Sequence, residues 1–439
     1  MTGRVSSRIV VHDYSGHPGQ AQLSRALAAM GYEVTHQHCP SYATGRGSLE
    51  RAEGDPVSLK FEGCAISSEF NRYSALTRVR HEIEYGRKAS KAILSNQPDV
   101  VILSNVPLIA HKMIARKLNR RRVPMVFWHQ DIYSTAIAAT ARRRLPFFGG
   151  FIGWTAERVE RSIARHSAAV IAISPTFLDK LKQWGVAHKS TVVPNWAPID
   201  ELPQRPRRNA WSERMGLADR PVVLYSGTLG LKHDPSILAM VAARLEDTHP
   251  DAKVVVISEG KGREWLEEWK RAQGAHNLEL LDFQPYEDLP DVLASADVLM
   301  AVLEPDASKY SVPSKVLTYL CAGRSVLGVI PADNSVAEIL ISNQAGWVVD
   351  PTNRDSVADR VSALLEDADL RHQHGLAGRR YAEAEFSAVR AAERFVSVFG
   401  TWAGQPVPAR VAKQTMESPV PDVVIEPAAW AVSSAQAAS

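Results

Sequence analysis

The chain is predicted to be α/β, with two Rossmann-like domains in tandem whose parallel sheets face a central cleft. Three observations predict this. Short runs rich in Val, Ile and Leu alternate with helical stretches, the pattern of a parallel sheet covered on both faces. The alternation stops at residues 197–220, which are dense in Pro and charge, and then restarts. Charge also divides there: residues 1–205 carry 28 Lys and Arg against 16 Asp and Glu (+12), and residues 206–439 carry 23 against 32 (−9).

Taken in order, residues 8–14 form the opening strand, SGHPGQ a turn, 21–30 a helix and 33–39 a second strand, followed by loop over 40–57. A long helix is expected over 75–96, with strands over 99–105, 123–131, 168–174 and 190–196 and helices between them. The second half offers strands at 221–227, 252–258, 278–283, 297–303, 325–330 and 346–350, again separated by helices. Helical periodicity returns over 355–399, and the tail, rich in Ala, Pro, Ser and Val, is expected to be disordered. The resulting boundaries are a first domain over 1–200, a linker over 201–220, a second domain over 221–385, a helix over 386–403 returning toward the first domain, and the tail over 404–439.

At 439 residues and 45% hydrophobic content the chain has enough apolar material for two cores. Its longest apolar stretch, residues 145–156, is shorter than the roughly 20 residues of a membrane span, and no secretory pattern opens the chain. A cytoplasmic protein is expected. Cys39, Cys64 and Cys321 are too few and scattered for a disulfide framework or a zinc site, and are expected to be reduced. The P-loop pattern G-x-x-x-x-G-K-[ST] is absent and SGHPGQ lacks the full G-x-G-x-x-G, which speaks against a P-loop nucleotidase and a dinucleotide oxidoreductase.

The most informative stretch is 296–328, where an apolar strand runs through a polar loop to Pro313, Ser314 and Lys315 at the start of a helix. A helix N-terminus offers unpaired N–H groups and partial positive charge, and Lys315 adds a full charge, so a phosphate fits; an ordinary strand-to-helix connection is the alternative. The segment YSGTLGLKHDP repeats the arrangement: Gly227 and Thr228 lie in a loop of little bulk, Lys232 follows, and Asp234 with Pro235 opens a helix. Lys232 suits a pyrophosphate there, or is a solvated loop lysine. His129 and Asp131 end a strand of the first domain, where a sugar or acceptor could be positioned; they equally suit a capping pair, as do His12 and Asp13.

Basic residues gather at Lys112, Arg116, Lys117 and Arg120 to Arg122, and again at Arg142, Arg143 and Arg144, which run into LPFFGGFIGW. Cations beside Phe147, Phe148, Phe151 and Trp154 fit contact with an anionic membrane, each contributing about 1 kcal/mol, unless the aromatics belong to a core. No nucleic-acid motif accompanies the charge, so no nucleic-acid partner is expected.

YSGTLGLKHD, LLDFQPYEDLPDVLASADV, VPSKVLTYLCAGRSVLGVI and NSVAEIL…AGWVVDP, after RIVVHDYSGHPGQAQLSRALAAMGYEVT and AVIAISPTFLDKLKQWG…STVVPNW, occur in the order and spacing of family-4 retaining glycosyltransferases of the GT-B fold. The chain resembles that family over residues 8–400, and within it the bacterial enzymes of capsule, O-antigen or exopolysaccharide synthesis.

The resemblance implies a nucleotide-sugar donor in the second domain, UDP rather than GDP, an acceptor at the first, and neither metal nor other cofactor. By position, Lys232 with the amides at Gly227 and Thr228 is expected to hold the pyrophosphate, joined by Ser314 and Lys315. Phe283 and Gln284 border the base, and the loop with Gly16, His17 and Gly19 closes over the sugar. His129, Asp131 and Lys232 are the catalytic candidates.

The family's paired glutamates are missing: Ser308 stands near the first place, Leu317 or Thr318 near the second, and Glu304 lies nine residues before Pro313 as the carboxylate counted with the donor site. The function implied is hexosyl or N-acetylhexosaminyl transfer to a lipid-linked or glycan acceptor at the inner face of the membrane. A nucleotide-sugar 2-epimerase of the same architecture and a non-catalytic glycan-assembly partner are the alternatives.

Overall fold

The computed structural model describes residues 7–400 except 42–47, 66–74, 146, 231–232 and 310. Lys232, the side chains of Arg144 and Ser308, and the tail from 404 lie outside the described residues.

The first domain contains β1 (Arg8–Asp13), α1 (Pro18–Ala29), β2 (Glu33–His38), β3 (Leu59–Gly63), α2 (Ala75–Ser95), β4 (Val100–Ser104) and α3 (Leu108–Arg120). It continues with β5 (Met125–His129), α4 (Tyr133–Arg144), α5 (Gly149–His166), β6 (Ala169–Ala172), α6 (Leu178–Gln183) and β7 (Ser190–Val192). Its strands form one sheet in the order β3-β2-β1-β4-β5-β6-β7, paired in parallel throughout. The continuous apolar runs explain the central strands: every residue of β4, β5 and β6 is buried.

Two edges depart from expectation. β3 is an additional strand, invisible in the sequence because only Leu59 of LKFEG is buried. β7 stops at Val192 instead of running to Trp196; Pro194 has no N–H to give to a ladder.

A segment holding α7 (Ala210–Arg214) leads into the second domain. This domain contains β8 (Val222–Ser226), α8 (Ser236–Thr248), β9 (Lys253–Ile257), α9 (Lys261–Gln273), β10 (Leu278–Leu281), α10 (Leu289–Ala294) and β11 (Val298–Val302). Then follow α11 (Lys315–Ala322), β12 (Ser325–Val329), α12 (Ser335–Ser342), β13 (Gly346–Val349), α13 (Arg354–Glu366), α14 (Ala368–Glu385) and α15 (Ala388–Phe399). The sheet order is β10-β9-β8-β11-β12-β13, also parallel.

The Pro- and charge-rich segment between the sheets is fastened rather than loose. Arg207 makes paired hydrogen bonds to the Asp297 carboxylate and donates to the carbonyl of Ala218 at 2.7 Å. The last helix, α15, packs against α1 of the first domain, where Phe395 meets the buried Trp128 ring edge-on at 4.8 Å between centroids. Cys39, Cys64 and Cys321 are all buried and free.

In each sheet the chain reverses its direction of travel once, between β1 and β4 and between β8 and β11. Ligands of open α/β sheets bind at the carboxyl ends of strands flanking such a reversal. The loops after those four strands therefore define where to look.

Candidate active site

In the second domain the reversal brings the loop after β8 against the head of α11. Gly227 sits at φ +138, and a Cβ placed there would lie 3.1 Å from Cε of Lys315, so glycine is what lets the lysine reach the loop. Tyr319, on the next turn of α11, grips Ser226 from below: its hydroxyl accepts from the Ser226 N–H at 2.9 Å and donates to the Ser226 carbonyl at 3.1 Å. The hydroxyl of Tyr225 donates to the Thr228 carbonyl at 3.1 Å and accepts from Nζ of Lys315. Burial pushes both phenols well above their ordinary range, so they stay neutral beside the ammonium.

Gly227, Thr228, Ser314 and Lys315 are thus brought together as one braced unit: a glycine turn, a helix start and a cation. Asp234 accepts from the Ser236 N–H at 2.9 Å and from Arg354 at 2.7 Å, which fixes the start of α8.

The other donor-site candidates each have a partner of their own. Phe283 is half-buried against the core. Oε1 of Gln284 accepts from the Trp211 indole at 3.0 Å, so this amide fastens α7. Glu304 accepts from Arg143 at 2.8 Å, across the gap between the domains.

In the first domain, Asp13 is fully buried at the end of β1, where it accepts from Asn105 at 2.9 Å, from the Ser15 hydroxyl at 3.0 Å and from the His17 backbone N–H. Asn105 holds a left-handed φ of +56 directly after β4, backbone strain of the kind that collects at functional sites. Gly16, at φ +71, turns the chain so that His17 caps α1, its ring accepting from the Gly19 N–H at 3.4 Å. Burial lowers the His17 pKa while the carboxylates of Asp13 and Asp131 oppose it; burial raises that of Asp13. The loop after β1 is thus near enough to the end of β5 for the charge of Asp131 to act on His17.

His129 does not join them. Although it ends a strand, its side chain is fully buried under Phe127, Phe177 and Trp184, and Nε2 lies 3.1 Å from Oε1 of Glu160. Glu160 also accepts from the Tyr133 and Ser134 N–H groups, at 3.0 and 2.8 Å. The catalytic expectation for His129 is corrected to a positioning one, because the ring packs into the core and locks the turn between β5 and α4. Glu160 was not singled out in the sequence; its signal was a carboxylate on the same helical stripe as the buried Ile163 and Ala164. His12 is likewise internal, between Gln37 at 3.3 Å and the Tyr85 hydroxyl at 3.1 Å.

The hairpin between α4 and α5 exposes Phe147 (95%), Phe148 (67%), Phe151 (66%) and Trp154 (54%), so these aromatics are outside any core. Arg158 lies 4.9 Å over the Trp154 ring. Arg142 is exposed. The guanidinium of Arg143, though exposed, is engaged by Glu304 and approaches Asp306 at 4.0 Å. Among the described residues no helix is long and apolar enough to cross a membrane.

Comparison with known proteins bears on the family and the fold. Residues 17–196 match the glycosyl transferase 4-like domain and residues 208–381 the glycosyl transferases group 1 family. The Escherichia coli glycosyl transferase WcaI, provisionally named for colanic acid biosynthesis, is 24% identical over 57% of this chain and 61% of its own length; the chain spans less than two thirds of that relative. A GDP-mannose-dependent monoacylated α-(1-6)-phosphatidylinositol monomannoside mannosyltransferase of Corynebacterium glutamicum is 22% identical over 68% of this chain and 81% of its own. Among solved structures, Anabaena HepE in complex with UDP-glucose superposes with a TM-score of 0.67 at 17% identity, covering 90% of this chain and 99% of that one.

Proposed function

This chain belongs to the glycosyltransferases of GT-B type, with a 4-like first domain and a group 1 second domain, and from that premise we propose that it transfers a hexosyl or N-acetylhexosaminyl group from a nucleotide diphosphate donor to a lipid-linked or glycan acceptor. The donor is UDP-linked rather than GDP-linked, the transfer retains anomeric configuration, and no metal takes part. One observation carries this reading: Lys315 lies against Gly227 at the head of α11, where a departing diphosphate would find a cation and polarised amides together.

Breaking a glycosyl–phosphate bond builds negative charge on the diphosphate. Groups that stabilise that charge more in the transition state than in the ground state accelerate the step. Lys315 and the first amides of α11 do this, and Lys232, close in sequence to Gly227, is the second cation expected to act on the same charge. The acceptor hydroxyl attacks the anomeric carbon on the face the diphosphate leaves, and a phosphate oxygen takes its proton. His17, which feels the charges of Asp13 and Asp131, orients the sugar from the first domain. Arg142, Phe147, Phe148 and Trp154 of the α4–α5 hairpin rest the enzyme on the inner face of an anionic membrane.

The test is a thermal-shift screen of nucleoside diphosphates. At a hundred times its dissociation constant the matching one adds about 2.7 kcal/mol of stability. Stabilisation by UDP and not GDP supports the reading; stabilisation by neither refutes it. A second reading is a nucleotide-sugar 2-epimerase, which needs cleft carboxylates to deprotonate carbon; Asp131, half-buried just after β5, is the carboxylate that would serve it. Incubation with donor alone and inspection for a new sugar nucleotide separates the two.

A further inference from the structure

On the face of the first sheet opposite α1, where the right-handed crossovers place α2, α3 and α5, the C-terminal halves of α2 and α3 enclose a groove of about 700 Å³. Both helices run antiparallel to the strands, so this groove opens at the end of the domain away from the cleft. Gly86 sets its narrow end: a Cβ there would lie 3.1 Å from Cα of Ala110 and 3.2 Å from Cβ of Met113. Six cations line it, Arg87 and Lys91 from α2 and Arg116, Lys117, Arg120 and Arg121 from α3 and the turn after it.

All six are exposed, and among the described residues none of them forms an ion pair. The carboxylates of α2 are already engaged, Glu82 by Arg78 and Glu84 by Lys88. Elsewhere in the chain Arg25, Arg207, Arg354 and Arg379 are each held by a carboxylate. The dipole of α3 accounts for Lys117 and Arg120 in its last turn, but not for Arg116 or for the two cations of α2. Like charges facing one another across a concavity repel, and the field they focus there is relieved by an anion.

The lining also indicates which anion. Cations four residues apart on one helix stand about 6 Å apart, and four of the six are guanidiniums, whose planar fork matches phosphate oxygens. The groove is only about two helical turns long, which suits a headgroup rather than a polymer. None of its lining residues is aromatic, so nucleic-acid bases have nothing to stack on. The half-buried side chains of Leu94 and Met113 give it an apolar lining that suits methylenes better than a hydrated sugar.

We propose that this groove binds the phosphate headgroup of an anionic phospholipid, at a site separate from the cleft and from the α4–α5 hairpin. The proposal rests on the reading that the chain works against a bilayer. It adds a lipid-selective contact that the hairpin aromatics do not provide.

The experiment is co-sedimentation of the full chain with neutral phosphatidylcholine vesicles and with vesicles containing phosphatidylglycerol, at two salt concentrations. It compares the wild type, a groove variant (Lys91→Ala, Arg116→Ala, Arg120→Ala) and a hairpin variant (Phe147→Ser, Phe148→Ser). The groove variant is expected to lose about a hundredfold in binding to anionic vesicles, three surface cations' worth, with neutral vesicles unaffected. The hairpin variant is expected to weaken on both. Because the substitutions are on exposed positions, each variant's nucleotide thermal shift should match the wild type, which separates loss of the groove from failure of the enzyme reading.

A groove variant that keeps the wild-type preference for phosphatidylglycerol overturns the proposal. So does wild-type binding indifferent to phosphatidylglycerol. Displacement from vesicles by inorganic phosphate at the concentration of the lipid phosphate would overturn it in favour of a free-phosphate site.

Discussion

The ammonium of Lys315 lies 3.9 Å from the ring centre of Tyr225 and donates to that ring's hydroxyl, which donates in turn to the backbone of Thr228. One lysine thereby ties the start of α11 to the loop after β8. Because burial keeps the phenol neutral, no phenolate stands against the ammonium at this contact.

Lys315→Ala should therefore lower donor turnover by about a hundredfold or more, the scale on which a preorganised charge-stabilising group acts. Lys232→Ala is expected to do the same. Tyr225→Phe keeps the ring under the ammonium and loses only the hydroxyl links, so it should cost about 1 kcal/mol of stability and far less activity. Steady-state kinetics with the donor found by thermal shift, together with urea melts, check this. Equal losses in the Lys315 and Tyr225 variants would move the effect from charge to loop shape.

A buried carboxylate holding a histidine and two backbone amides is costly to remove. Glu160→Ala would strand His129 and the N–H groups of Tyr133 and Ser134. It should destabilise the chain by about 3–5 kcal/mol. Glu160→Gln keeps one acceptor oxygen and should cost less. Denaturant unfolding measures both; a cost under about 1 kcal/mol for the alanine variant would show that the turn into α4 is held by other contacts.

The two sheets were legible because their strands are unbroken apolar runs, and residues such as Val298 to Val302 have no other place to go than a covered sheet. Gly227 and Lys315 were legible as chemistry, a small loop and a cation before a helix, although their contact needed coordinates. His129 was not: a histidine ending a strand has the same sequence signature whether it opens on a cleft or folds back onto Glu160, 31 residues away. The partner of Arg143 was hidden for a similar reason. Three arginines before an aromatic run suggest a membrane, and only the fold reveals that one of them reaches Glu304, 161 residues on.

Acid should unfold this protein through its buried imidazoles. Burial lowers His12 to about 4 and His36 and His111 each to about 3. Above the unfolded value of about 6.5 these rings are neutral in both states and contribute no slope. Below it the unfolded chain takes up protons that the folded chain refuses, so each ring removes up to about 1.4 kcal/mol per pH unit until its folded pKa is reached. Stability should fall steeply from pH 6.5 toward pH 4. His111, whose Nε2 has no partner in its buried site beside Phe127, is the one to replace. His111→Leu should make the slope shallower by about one proton, read from urea midpoints across that range. A flat wild-type profile would mean the rings accept protons without unfolding.

Arg143 and Glu304 meet at 2.8 Å from opposite domains, with side chains 57% and 21% exposed. A pair so open to solvent is worth little to folding, about 0.5 kcal/mol or less, and is screened by salt. Its effect is on geometry instead, since it links α4 to the loop after β11 and so limits how far the two halves of the site can part. Arg143→Ala and Glu304→Gln should each leave the melting temperature nearly unchanged, yet enlarge the radius of gyration of the ligand-free chain measured by small-angle X-ray scattering. High salt should do the same to the wild type. The competing restraint is apolar, the packing of Phe395 of α15 on Trp128. If both charge variants scatter as the wild type does while Phe395→Ala expands the molecule, the spacing of the domains is set by that helix and the ion pair merely follows it.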